Sequence, residues 1–322
     1  MHATLDALPG SASPGPAPDL ALNQRGQAAY LGLAIGDALG ATVEFMTPRE
    51  IQAVHGTHRH IQGGGWLRLR PGQVTDDTTM ALALGASILH AGQVDAQACG
   101  AAFDAWMRAK PVDIGNTVRR GILEFRRTGQ TEAPLSDHDA GNGACMRVLP
   151  VALATLGQPE AEVRAACRRQ AHLTHHNPLS DAGTEAIVLM IQAALSGGGR
   201  STTLAQIDAF AGAWPLFAPA GKQVENPSGY IVDSLRAVFQ AFIATTCFED
   251  CLVDVVNRGG DADTTGAIAG MLAGAVYGLE QLPQPWVLAL EALSREACIT
   301  QSAALLQLAA AQAGKRSGAH PG

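Results

Sequence analysis

Gly32, Gly36 and Gly40 recur at i, i+4 and i+8 in Gln24–Glu44, a run whose apolar residues follow a helical pattern. At that spacing they share one helix face. A face without side chains cannot fill space, so this helix is expected to pack tightly against another backbone. Asp37 and Glu44 interrupt or end the apolar stretch, and an acid there needs a partner or a role. Much later, Gly259–Gly270 reads GGDADTTGAIAG and opens a second apolar, glycine-rich run that ends near Gly278.

That second run begins with acids on alternate residues, Asp261 and Asp263, followed by Thr264 and Thr265. Ser, Thr and Asp satisfy the free N–H groups of a helix start, and the helix dipole favours negative charge there. Thr75, Asp76, Asp77 and Thr78 precede MALALGASIL, a comparable mouth whose helix is expected to run to about Ala91. If the two mouths converge, four carboxylates meet, with hydroxyls from Thr75 and Thr264 and a further acid from Glu44 or Asp37. Such a cluster repels itself unless protons or cations neutralise it. Hard oxygen donors suit Mg²⁺ or Mn²⁺ rather than zinc, and bridging carboxylates suit two ions. Spacing alone equally allows four capping acids and no metal. One false match can be removed. Asp261-x-Asp263-x-Thr265-Gly266 imitates an EF-hand, but Leu272 stands where that loop needs a bidentate Glu.

The remaining patterning points to an all-α, compact single-domain protein. No period-2 series suggests strands, and no Walker, GxGxxG or Gly-x-Ser-x-Gly motif occurs. The chain has 322 residues, 47% hydrophobic and 16% charged, enough for a large core. Proline-rich residues 1–22 read as a flexible tail, 23–313 as the domain and 314–322 as a polar tail. A net charge of −7 argues against a nucleic-acid partner, and a monomer is expected. The six cysteines form no Cys-x-x-Cys pair, which fits a reduced, cytoplasmic protein. Ala28–Val43 is short and contains Asp37, a poor membrane span, so any membrane contact would be peripheral.

Several smaller features carry two readings each. His55, His58 and His60 precede Gly63-Gly64-Gly65-Trp66, and the histidines read as a surface loop in preference to ligands. Residues 45–74 as a whole look loop-rich. Asp113 precedes a helix start at Asn116-Thr117 and reads by spacing as a turn acid. Gly141-Asn142-Gly143 stands before an apolar helix, either as an anion cradle or as helix punctuation. His172, His175 and His176 lead into a helix that Ser180 or Asp181 is expected to cap.

GLAIGDALGATVEF, GQVTDDTTMALALG, PVDIGNTVRRGI, AGNGACMRVLPVALA, HLTHHNPLSDA and VVNRGGDADTTGAIAGMLAGAVYG occur in this order. Together they resemble the ADP-ribosylglycohydrolase family, and its bacterial dinitrogenase reductase-activating branch in particular, from about Gln24 to about Trp286. The resemblance implies an all-α fold with two Mn²⁺ (or Mg²⁺) ions. It implies Thr75, Asp76, Asp77, Asp261, Asp263, Thr264 and Glu44 as metal ligands, with Asp263 as the bridge. It implies Asp113 and Asp77 as catalytic residues, Asp113 as base or guanidinium-orienting group. Gly141, Asn142, Gly143, Ala144 and Met146 would line an ADP-ribose pocket, with His175, Tyr230 and Gly64 nearby.

The implied reaction is hydrolysis of the N-glycosidic bond between ADP-ribose and an arginine of a target protein. Other readings remain open at this level: ADP-ribosyl-serine as substrate, an ADP-ribose-binding protein without turnover, or a two-metal phosphatase. The branch resemblance further implies ADP-ribosylated nitrogenase iron protein as target, control by a PII-type signalling protein, and reversible recruitment to an ammonium transporter.

Overall fold

A computed structural model describes residues 20–318. Most of the expected terminal tails, residues 1–19 and 319–322, lies outside the described residues. Fifteen α-helices follow one another among them, joined by turns and two short 3₁₀ segments. They are α1 (Leu20–Gly40), α2 (Pro48–His55), α3 (Asp76–Ala91), α4 (Ala96–Arg108), α5 (Asn116–Thr128), α6 (Gly143–Met146), α7 (Leu149–Ala154), α8 (Glu160–Ala171), α9 (Pro178–Leu195), α10 (Arg200–Ala213), α11 (Ile231–Ala244), α12 (Phe248–Val256), α13 (Ala262–Tyr277), α14 (Gln284–Ala289) and α15 (Ala292–Gly318). No β-strand occurs among the described residues; only isolated bridges join Gly64 to Leu69 and Gly141 to Tyr230. The helices therefore begin at Leu20 and continue to Gly318.

The glycine stripe does what its spacing predicts. α1 and α13 run antiparallel through the centre, backbone against backbone. A Cβ on Gly32, Gly36 or Gly40 would stand well inside 3.0 Å of the carbonyls of Gly270, Gly266 and Ala262 respectively. The relation is reciprocal: Gly266, Gly270 and Gly274 would meet the carbonyls of Gly36, Gly32 and Ala28. Every residue from Ala262 to Ala275 is buried, so α13 is apolar on all sides because helices surround it. α9, α11 and α12 pack against α13, α15 and α3 against α1, and α4 against α3.

Three local expectations differ from the structure. Residues 45–74 contain α2, which starts with Thr47, Pro48 and Glu50: the Thr47 side chain accepts from Glu50 N and Glu50 accepts from Thr47 N. That capping box was present in the sequence as Thr-x-x-Glu. The α9 cap is Asn177, whose Oδ1 accepts from Leu179 N and Ser180 N, instead of Ser180 or Asp181. His58 is buried rather than on a surface loop. Its Nε2 bonds Leu39 O at 2.9 Å, satisfying a carbonyl that the end of α1 leaves free. Asn257 holds the same residue by its backbone, accepting from His58 N at 2.8 Å and donating to His58 O at 2.9 Å.

Candidate metal centre and active-site cavity

The α1–α13 pairing brings the C-terminal end of one helix to the N-terminal end of the other. α1 stops at Gly40 and residues 41–45 form turns. Phe45 takes a left-handed conformation, φ 62°, and donates its N–H to Gly260 O at 2.7 Å. Gly260 N returns a bond to Met46 O at 3.0 Å. Gly259 and Gly260 both have positive φ, and a Cβ on either would strike a backbone carbonyl. This clasp sets Glu44 beside Asp261 and Asp263. One carboxylate oxygen from each lies within 4.8 Å of the others.

The second acidic mouth reaches the same place through Asp37. Its carboxylate accepts from Thr75 N (2.9 Å), Thr75 Oγ1 (2.9 Å), Thr78 N (3.1 Å) and Thr78 Oγ1 (2.5 Å). Asp37 thus caps α3 from another helix. Thr75, the N-cap by position, makes no side-chain cap bond. Asp76 and Asp77 are thereby released from capping and turn toward the other acids. The Asp261 side chain likewise caps no N–H of its own helix. Asn142 Nδ2 donates to Asp261 Oδ2 at 2.6 Å and to Ser234 Oγ at 2.9 Å.

Burial and mutual repulsion push these acids up together. Burial is the larger cause in each case, followed mainly by neighbouring carboxylates for Asp76, Asp77 and Asp263. Asp76 is raised to about 7 and Glu44 to about 8, while Asp77 and Asp263 stand well above the carboxylate range. Asp37 is raised only to about 6, because its four hydrogen bonds oppose burial. The amino ends of α3 and α13 both face this negative charge, which their dipoles favour. Asp77 Oδ1 is buried without a hydrogen-bond partner. A cluster of oxygen donors with an unpartnered buried carboxylate oxygen fits a hard divalent cation.

The cluster forms the floor of a cavity of about 800 Å³. Glu44, Asp76, Asp261, Asp263 and Thr264 face it, while Thr75 and Asp77 are buried beneath. Thr264 Oγ1 reaches Asp77 Oδ2 at 3.4 Å, linking the two mouths. Asp113 stands on the wall, its Oδ1 accepting from Ile114 N at 2.7 Å. Its charge is the second cause, after burial, of the raised Asp76. Gly141, Asn142, Gly143, Met146 and His175 also line the cavity, with the turn at residues 226–229.

Three residues carried over from the resemblance lie off this wall. Ala144 is fully buried behind it. Tyr230 is half-exposed, and its backbone bridges Gly141. Gly64 is exposed in a turn bridged to Leu69. Trp66 is the member of that loop that reaches the site. Its Nε1 donates to Glu44 Oε2 at 2.5 Å, and its ring lies 5.4 Å from that of Phe45. Of the three histidines before α9 only His175 lines the cavity. His172 bonds Asp181 and His176 bonds Ala133 O. Spacing in the sequence pointed to none of the roles of Asp37 as a remote cap, Trp66 as a donor to Glu44, or Arg147 beneath the Gly141–Gly143 loop. Asp37 alone left a signal, as an acid inside an apolar helix.

A profile of the ADP-ribosylglycohydrolase family matches residues 18–318. The chain belongs to this family. It is 46% identical over 288 residues to the ADP-ribosyl-[dinitrogen reductase] glycohydrolase of Rhodospirillum rubrum, covering 89% of this chain and 97% of that protein. It is 31% identical to an ADP-ribosylarginine hydrolase of Serratia proteamaculans, covering 82% and 74%. A solved structure described as an ADP-ribosylglycohydrolase-related protein complex superimposes with a TM-score of 0.80 at 35% identity, covering 90% of this chain and 99% of that one. Among the described residues no helix is long and apolar enough to cross a membrane.

Proposed function

We propose that this ADP-ribosylglycohydrolase-family protein hydrolyses the N-glycosidic bond joining ADP-ribose to an arginine side chain of a target protein. The observation that carries the proposal is the meeting of Glu44, Asp261 and Asp263 at the floor of a cavity, in a cluster that also holds the unpartnered Asp77 Oδ1. The activity named for the relatives supplies the linkage. Glu44, Asp76, Asp77, Asp261 and Asp263, with the hydroxyls of Thr75 and Thr264, would hold two Mn²⁺ or Mg²⁺ ions. When bound, such ions supply Lewis acidity toward water and orient vicinal hydroxyls.

The protein's own groups do the rest. The carboxylate floor favours the positive charge that develops at the anomeric carbon as the bond breaks. Asp113 faces the cavity from the wall, where it orients the guanidinium or takes the proton of the attacking water. The Gly141–Gly143 loop and His175 hold the ADP-ribose. The leaving guanidine is strongly basic, so it departs protonated without a buried acid beside it.

ADP-ribosylated nitrogenase iron protein is the proposed target, on the strength of the Rhodospirillum relative's name. Control by a PII-type protein and peripheral recruitment to an ammonium transporter rest on the family resemblance, with no surface of the molecule assigned to them. The test is release of free ADP-ribose from proteins modified on arginine, compared with peptides modified on serine. Release from arginine alone is expected. Phosphate release, or turnover of the serine linkage alone, overturns the proposal.

A further inference from the structure

Arg147 is the largest fully buried side chain among the described residues, and its guanidinium hydrogen-bonds neutral acceptors instead of a carboxylate. Its Nε donates to Gln170 Oε1 at 2.9 Å, NH1 to Gly143 O at 3.0 Å, and NH2 to Gln170 O at 3.0 Å and Thr174 Oγ1 at 2.9 Å. It also lies 4.6 Å from the Phe103 ring centroid. Burying a charge with no hydrogen-bonded counter-ion is costly; the charge of Asp76 acts on Arg147 without a hydrogen bond. The cation sits directly behind the cavity wall, tied to Gly143 and to the residue before His175.

The direction of each hydrogen bond can be assigned from donor chemistry. Arginine only donates. Thr174 Oγ1 therefore accepts from Arg147 and has one proton of its own to place. Its remaining partner is His175 Nδ1, at 2.8 Å. If Nδ1 carried the proton instead, the hydroxyl oxygen could accept both bonds, but its own buried proton would have no acceptor among the described residues. Nδ1 is therefore the acceptor, and the imidazole proton sits on Nε2. Burial, then the charges of Arg147 and Arg120, push His175 down to about 3, so the ring carries this one proton at neutral pH.

Nε2 lies at the cavity side. A Cβ on Gly141 would stand 2.8 Å from it, and a Cβ on Gly143 would stand 2.7 Å from Cε1. The two glycines that looked like an anion cradle are thus also the space into which the ring fits. No hydrogen-bond partner for Nε2 occurs among the described residues, and the residue lines the cavity.

We propose that Arg147 and Thr174 are positioning residues that lock His175 in its Nε2–H tautomer, so that the wall offers one fixed donor to an oxygen of the ligand. The lock stands on the protein's own hydrogen bonds. Only the identity of the acceptor, an oxygen of ADP-ribose, rests on the proposed function.

Nitrogen-detected NMR of the full chain labelled at histidine, without ligand, reads the tautomer directly. The His175 ring, assigned by its loss in His175→Gln, is expected to be protonated at Nε2 alone. Thr174→Val is expected to bring the Nδ1–H form into the spectrum, and Thr174→Ser to restore the wild-type pattern. An Nδ1–H ring in the wild type, or a spectrum unmoved in Thr174→Val, overturns the lock.

ADP-ribose titration then tests the acceptor separately. The amide nitrogen of His175→Gln can replace Nε2, so its affinity is expected within about three-fold of wild type. His175→Asn is too short and is expected to bind roughly ten-fold more weakly. Equal losses in both variants overturn the donor role. A wild-type protein that binds no ADP-ribose overturns the function reading while the tautomer spectrum still decides the lock.

Discussion

Gly36 and Gly266 meet backbone to backbone: a Cβ on either would fall well inside 3.0 Å of the other's carbonyl. No rotamer change can relieve a clash between main chains. Gly36→Ala gains about 1 kcal/mol of helix propensity but overpacks a buried contact, at about 1–3 kcal/mol or more. The steric cost wins, and a lower melting temperature is expected. Gly212→Ala makes the contrast, because Gly212 is exposed in α10 with nothing within 4 Å of a new Cβ. That variant should be neutral or slightly stabilised. Thermal unfolding of the two proteins checks the opposite signs.

Asp37 accepts four hydrogen bonds from Thr75 and Thr78 and so caps α3 from a different helix. Asp37→Asn keeps the shape but turns an amide donor toward groups that already donate. A loss of about 2–4 kcal/mol is expected, since buried donors go unpaired. Because Asp37 also aims Asp76 and Asp77, divalent-cation affinity should fall with stability. Calorimetric titration with Mn²⁺ reads the second effect.

Trp66→Phe keeps a ring against Phe45 and removes the bond from Nε1 to Glu44. A charge-assisted bond of this kind is worth about 1.5–3 kcal/mol, so Mn²⁺ affinity is expected to fall roughly ten-fold or more. In the metal-free protein Glu44 is raised to about 8, so near pH 7 the lost bond is a neutral one and stability should fall by only about 0.5–1.5 kcal/mol. A variant that binds Mn²⁺ as the wild type does would remove Trp66 from the site.

The metal-free protein should lose stability as pH rises from about 6.5 to 8. Asp76 is raised to about 7 and Glu44 to about 8, so the native state holds protons there that the unfolded chain has already released. Stability from a raised pKa is present at low pH and lost as pH passes through the native value. His175, pushed down to about 3, acts oppositely, most strongly below about 6.5, where the unfolded chain takes up the proton first. Saturating Mg²⁺ should flatten the upper slope. Melting temperatures across roughly pH 6.5–8, with and without chelator, read it, the histidine contribution being common to both series.

The site's outline could be read from the chain because its parts are local motifs. Gly32, Gly36 and Gly40 show a bare helix face, and Asp76–Asp77 and Asp261–Asp263 show two acidic helix starts. The all-α architecture followed from the same patterns. What the spacing could not show is which segments meet. The bonds from Thr75 and Thr78 to Asp37 span about forty residues of sequence, and the Trp66–Glu44 bond joins a glycine loop to a helix end. Arg147 has no local signature, since an arginine in an apolar helix start looks the same whether it faces water or the core. The burial of His58 is illegible for the converse reason. A polar loop residue gives no hint that a helix end, at Leu39, needs its donor.

The converging acids are proposed to hold the ions on which arginine-specific hydrolysis depends. The most direct measurement is ADP-ribose release from an arginine-modified protein by wild type and Asp263→Asn, each chelated and then given Mn²⁺. Wild type should fall silent on chelation and recover with Mn²⁺, while Asp263→Asn stays folded and silent in both states. Full release by the chelated wild type, or by folded Asp263→Asn without bound metal, would contradict it.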